Sequence, residues 1–108
     1  MDIQISASEL AAKLQKGEKP LLLDVREREE HEFVSLPDST LIPLGEIMQR
    51  AAEIESWKGK EVVVYCHHGM RSMHAISRLQ ILGFTDLRNL HGGIDAWSVE
   101  VDSSKPRY

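Results

Sequence analysis

The chain has one cysteine in 108 residues, no excess of basic residues, and no apolar run approaching the ~20 residues that a membrane span requires. Each shortage removes a class of protein. A single cysteine excludes an internal disulfide. A formal net charge of −4 argues against a general nucleic-acid surface, which presents a basic patch or stripe. The opening Met1-Asp2-Ile3-Gln4-Ile5-Ser6 has neither a basic start nor an apolar h-region, so no export signal is read there. The expected setting is cytoplasmic and reducing, with no membrane partner, and it suits a free thiol. The length is close to that of one ordinary domain, so residues 1–108 are read as a single unit whose polar end, 99–108, is a tail that either straps the surface or hangs loose.

What is present is an alternation of strand and helix patterns, without repeats or low-complexity tracts. Ile3 to Ile5 reads as a short edge strand, and Leu21 to Val25, Thr40 to Ile42, Val62 to Tyr65 and Asp86 to Leu90 as four more. Between them, Ser6-Ala7-Ser8-Glu9 forms a capping box opening a helix that ends near Gly17. Further helices fit Arg28 to Phe33, Leu44 to Ile54 and Arg71 to Leu82, with Gly83 ending the last. A short helix containing Trp97 follows Gly92-Gly93, and Trp97 is expected to anchor the core. Such an order predicts an α/β domain of three layers, α/β/α, around a mainly parallel, about five-stranded sheet. In the fourth helix Ala75, Ile76, Leu79 and Leu82 recur at helical spacing and should face that sheet, leaving His74 and Arg78 on a solvated stripe. The acidic run Glu27 to Glu32 reads as the solvated face of a short helix.

The chemistry concentrates in Val62-Val63-Val64-Tyr65-Cys66-His67-His68-Gly69-Met70-Arg71-Ser72, which sets Cys66 between a buried-type strand and a helix start. Free N–H groups and the positive end of the helix dipole collect there and stabilise an anion such as a thiolate. Gly69 lets the turn adopt positive φ without steric cost, so successive N–H groups can point inward at the sulfur. Arg71 adds a permanent charge in fork geometry. Cys66 is therefore the candidate nucleophile, and His67, His68, Gly69, Met70, Arg71 and Ser72 the candidate substrate-binding residues, with Ser72 also able to cap the helix.

Three segments resemble the rhodanese superfamily, sulfurtransferases that carry sulfane sulfur as a cysteine persulfide. Leu21-Leu22-Leu23-Asp24-Val25-Arg26 is similar to the family's L-[IL]-D-V-R strand, and Tyr65-Cys66-His67-His68-Gly69-Met70-Arg71-Ser72 to its Y-C-x-x-G-x-R-S loop. Leu90-His91-Gly92-Gly93-Ile94-Asp95-Ala96-Trp97 resembles its L-x-G-G-[IW]-x-x-W signature. The chain departs from the family where G-H-I-P-G-A is usual: it reads Val34-Ser35-Leu36-Pro37-Asp38-Ser39, a segment that shapes the turn into the third strand and supplies no catalytic group. The resemblance implies a rhodanese-like fold and transfer of sulfane sulfur from a donor such as thiosulfate to a thiophilic acceptor through a persulfide on Cys66. It implies no cofactor, and as partners a small-molecule or protein persulfide donor and a thiol acceptor.

Other readings compete. Phosphatase or arsenate reductase chemistry belongs to relatives whose cysteine-and-arginine loop is one residue longer, and a phosphoryl group needs several N–H donors around its equatorial oxygens. A persulfide-sensing or partner-binding module without turnover is the reading from a different class. Adjacent His67 and His68 suggest a metal, but two neighbours on a tight turn cannot both converge with Cys66 on one ion, and no C-x-x-C or H-x₃-H spacing exists elsewhere. They are expected as exposed rim groups, with no metal.

Overall fold

A computed structural model describes residues 3–108 as a five-stranded parallel sheet in the spatial order β1-β5-β4-β2-β3. The strands are β1 (Gln4–Ile5), β2 (Leu21–Asp24), β3 (Thr40–Leu41), β4 (Val62–Tyr65) and β5 (Leu87–Leu90), in an α/β fold as the sequence predicts. Parallel neighbours need crossovers, and helices α1 (Ala7–Gln15), α2 (Arg28–Phe33), α3 (Ile47–Arg50), α4 (Met70–Ile81) and α5 (Gly93–Glu100) occur in chain order around them. Residues 1–2, where the opening segment begins, lie outside the described residues.

β4 is the spine of the sheet. It pairs with β2 from Leu21↔Val62 to Asp24↔Tyr65 and with β5 from Val62↔Leu87 to Val64↔Asn89. Side chains alternate across a strand, so Val62, Val64 and Cys66 fall on one face with Ala75, Ile76 and Leu79 of α4 and Ile47 of α3. Val63 and Tyr65 fall on the other, with Leu10 of α1 and Ile94 and Trp97 of α5. Trp97 is thus a core anchor, as expected. The apolar spacing of α4 holds too: Ala75, Ile76 and Leu79 are buried, and Leu82, just past the helix, packs half-buried against the same cluster.

Two elements differ from the sequence reading. The stretch Leu44 to Ile54 is not one helix but a 3₁₀ turn (Leu44–Glu46), the single turn of α3, and a second 3₁₀ segment (Ala51–Trp57) with non-helical φ/ψ at Ile54. Leu44, Ile47, Ala51 and Ile54 follow one another by three or four residues, and that spacing keeps the apolar side toward the sheet whether a turn closes at i+3 or i+4. The terminal segment also starts later than expected, because α5 continues through Val99 and Glu100 before the chain turns back. No helix among the described residues is long and apolar enough to cross a membrane.

Candidate active site

β4 ends at Tyr65, and the next residue, Cys66, opens the loop that feeds α4. Gly69 precedes the helix with φ +114° and its N–H donates to Cys66 Sγ at 3.0 Å. The Ser72 N–H donates to the same sulfur at 3.4 Å. A residue with a Cβ would resist that φ, so Gly69 is what lets the loop curl over its own cysteine. Cys66 is buried, and its sulfur lies among first-turn donors of a helix that no side chain caps.

Ser72 does not cap α4. It occupies the third helical position, and its hydroxyl, 3.5 Å from Cys66 Sγ, sits between the Gly69 carbonyl at 3.0 Å and Asn89 Oδ1, with which it makes a short hydrogen bond. Asn89 is buried on β5 and donates to Gln4 Oε1 of β1 at 2.9 Å, so the base of the loop is tied to the sheet edge. Sequence reasoning missed Asn89: a polar residue on a short strand gives no sign of the helix it will face.

The G-G of the third segment clamps the loop from outside. Ile94 N–H donates to the Cys66 carbonyl at 2.9 Å and Asp95 N–H to the His67 carbonyl at 3.2 Å, so the first turn of α5 reads the loop backbone directly. Gly93 has φ +63°, and a Cβ there would stand 2.5 Å from the Cys66 carbonyl oxygen. Only glycine permits this approach.

Around the loop lies a rim of paired charges. Arg26 folds back on Asp24 through Nε–Oδ1 (2.9 Å) and Nη2–Oδ2 (2.7 Å), both side chains fully buried, and also donates to the Val34 carbonyl at 2.6 Å. The departing segment is therefore held by its backbone and one side chain: Leu36 N–H donates to the Tyr65 hydroxyl at 3.1 Å, and Ser39 Oγ lies 2.9 Å from that hydroxyl. Arg71 grips Glu30 bidentately, at 2.7 and 2.9 Å, across 41 residues of sequence. Glu30 is thus no member of a solvated face; it is the partly buried counter-ion of the loop arginine. Arg71, with its Tyr108 neighbour and despite burial, holds the Glu30 carboxyl down at about 2. His74 is exposed, whereas Arg78 is half-buried and donates to the Leu44 carbonyl at 2.8 Å, leaving the expected stripe only in part solvated.

The terminal residues join this rim. The Tyr108 hydroxyl donates to Glu30 Oε2 at 2.6 Å and accepts from Arg26 Nη1 at 2.8 Å, while its ring stacks on His67 at 3.8 Å and 7°. Arg107 pairs with Asp95 at 2.8 and 3.1 Å. His67 is therefore not an exposed rim group: it lies half-buried between Tyr108 and His68, whose ring is 3.9 Å away. Burial first, then the charge of His68, hold its imidazole below the ordinary value. His68 and the Met70 side chain are exposed at the mouth.

His67, His68 and Asp95 bring possible ligand atoms within 4.8 Å of one another, a grouping the sequence reading did not consider because it asked only about Cys66. The Asp95 carboxylate of this group is shared, pairing with Arg107 at 2.8 Å and lying 3.8 Å from His68 Nε2.

A profile of the rhodanese-like domain matches residues 6–100. The chain is 34% identical over 119 residues to the adenylyltransferase and sulfurtransferase MOCS3 of Arabidopsis thaliana, covering 97% of this chain and 26% of that protein. It spans about a quarter of the length of the first such curated relatives. It is also 36% identical over 95 residues to a sulfurtransferase of Allochromatium vinosum, with 88% of this chain and 87% of that one covered. Among solved structures, a rhodanese-related protein of Thermoplasma volcanium superposes with a TM-score of 0.79 at 33% identity, over 91% of this chain and 92% of that one. With the cysteine loop, the buried aspartate–arginine pair and the glycine clamp all in place, the chain belongs to the rhodanese-like domain family.

Proposed function

We propose that the protein is a sulfurtransferase that carries sulfane sulfur as a persulfide on Cys66, with thiosulfate among the donors it accepts and a reducing compartment as its setting. One observation carries this reading: the Cys66 sulfur already receives the Gly69 and Ser72 N–H groups at the uncapped start of α4. Those donors are compact and converge on a single atom. Converging on Cys66 Sγ, they suit a sulfur anion better than the spread oxygens of a phosphoryl group.

In the first half-reaction the Cys66 thiolate attacks the outer sulfur of thiosulfate. The Sγ–S bond forms, the sulfur–sulfur bond of the donor breaks, and its electron pair leaves on sulfite. In the second, a thiophile such as cyanide or a thiolate attacks the outer sulfur, and the pair returns to Cys66 as thiolate. Covalent catalysis divides one difficult transfer into two easier ones. Gly69 and Ser72 supply backbone donors to the sulfur; His67, His68, Met70 and Arg71 border the approach of donor and acceptor.

The reading is tested by thiosulfate:cyanide sulfurtransfer. Turnover is expected in the wild type and its complete loss in Cys66→Ala; wild-type turnover retained by that variant contradicts the mechanism. A generic phosphate monoester should be a poor substrate, and hydrolysis of it at a rate comparable to thiosulfate turnover would favour the phosphatase reading instead.

A further inference from the structure

Arg71 sits in the first turn of α4, where a cation would attract an anionic donor, yet its charge is spoken for. Glu30 takes both of its terminal nitrogens, at 2.7 and 2.9 Å. The carboxylate is further held by the Glu27 N–H at 3.0 Å and the Tyr108 hydroxyl at 2.6 Å. Such a site keeps Glu30 ionised throughout the neutral range. The other arginines of the rim are matched as well, Arg26 by Asp24 and Arg107 by Asp95. His67 is held toward its neutral form by burial. Each of these arginines is therefore matched by a carboxylate, and the uncovered groups beside them are His68 at the mouth with the apolar or aromatic Phe33, Met70 and Tyr108.

We propose that Glu30 is a specificity-determining residue: by neutralising Arg71 it biases the site against dianionic sulfane donors and toward donors of lower charge. The proposal rests on the sulfur-transfer reading above. The chemical class favoured is a thiosulfonate-like or organic sulfane carrier with at most one negative charge. Thiosulfate and methanethiosulfonate form a matched pair for testing it. Each delivers its outer sulfur to the Cys66 thiolate by the same bond exchange, Sγ–S forming as S–S breaks. The pair leaves as dianionic sulfite from thiosulfate and as monoanionic methanesulfinate from methanethiosulfonate.

The experiment measures kcat/KM for both donors, with cyanide as acceptor, in the wild type, Glu30→Gln, Arg71→Gln and the double variant. Thermal melts verify that each is folded. If the net charge of the pair governs selectivity, the thiosulfate-to-methanethiosulfonate ratio rises in Glu30→Gln by about threefold to tenfold, the effect of one partly screened charge. It falls by a similar factor in Arg71→Gln, returns near the wild-type value in the double variant, and all these differences shrink at high salt. A structural role alone moves both single variants in the same direction or leaves the ratio fixed, and either result overturns the proposal. Should Glu30→Gln fail to fold, the Arg71→Gln ratio and its salt dependence decide alone, an unchanged ratio again counting against it. Failure of the underlying reading looks different: a folded wild type that turns over neither donor.

Discussion

The loop that holds Cys66 and the rim that surrounds it are built in different ways. The loop is made of backbone: Gly69 and Ser72 N–H groups on the sulfur, and Ile94 and Asp95 N–H groups on the carbonyls of Cys66 and His67. The rim is made of side chains that meet across the chain, Arg71 with Glu30, Arg26 with Tyr108, Arg107 with Asp95. Backbone donors survive substitution at most loop positions so long as the path is kept. Side-chain pairs do not, and each can be retuned singly. The difference teaches that the surroundings of the Cys66 sulfur depend on the path of the chain, whereas the charge around the loop depends on single side chains.

That division can be broken most forcefully at Gly93. Gly93→Ala places a Cβ against the Cys66 and His67 carbonyls at a φ that L-residues rarely adopt. It should cost about 2 kcal/mol or more in denaturant unfolding, and persulfidation should fall with it. Met70→Ala, at the exposed first position of α4, should stay within about 0.5 kcal/mol. Comparable losses in the two variants would mean that the clamp does not set the loop path.

Acid titration gives the smaller effect and addresses the rim. Glu30 is pulled from 4.5 to about 2 in the folded protein, so the stability it contributes is fully present above about pH 4.5 and is lost as pH falls toward about 2. His67 acts in the same sense at higher pH: its lowered value means that stability is lost as pH falls below the ordinary histidine range and the half-buried ring must take a proton. Wild-type melting temperature should therefore decline on acidification, and Glu30→Gln should decline less steeply below about pH 4.5. Parallel acid limbs would remove Glu30 from the account of rim stability.

What could be read from the chain follows the same division. The runs Leu21 to Val25 and Val62 to Tyr65 announce buried parallel strands because both faces are covered, and the cysteine, glycine and arginine that follow β4 lie within six residues of one another. Contiguity makes such a site visible. Glu30 reads as a solvated acid because every residue of its helix except Phe33 is polar and its partner lies 41 residues away. Tyr108 reads as part of a polar tail, with nothing local to reveal hydrogen bonds to Arg26 and Glu30, 82 and 78 residues earlier. His67 and His68, adjacent in sequence, read alike there; the stacked Tyr108 ring separates them into a half-buried and an exposed residue. Its place near the helix start makes Ser72 able to cap in sequence, whereas Gly69 holds the N-cap position and the serine faces Asn89.

The central claim is that Cys66 itself carries the transferred sulfur, and intact mass measured after thiosulfate treatment tests it most directly. The wild type should gain the mass of one sulfur atom and lose it again on adding cyanide, while folded Cys66→Ser should gain nothing. A folded wild type that remains unmodified, or a Cys66→Ser variant that still takes up the sulfur, would contradict the account.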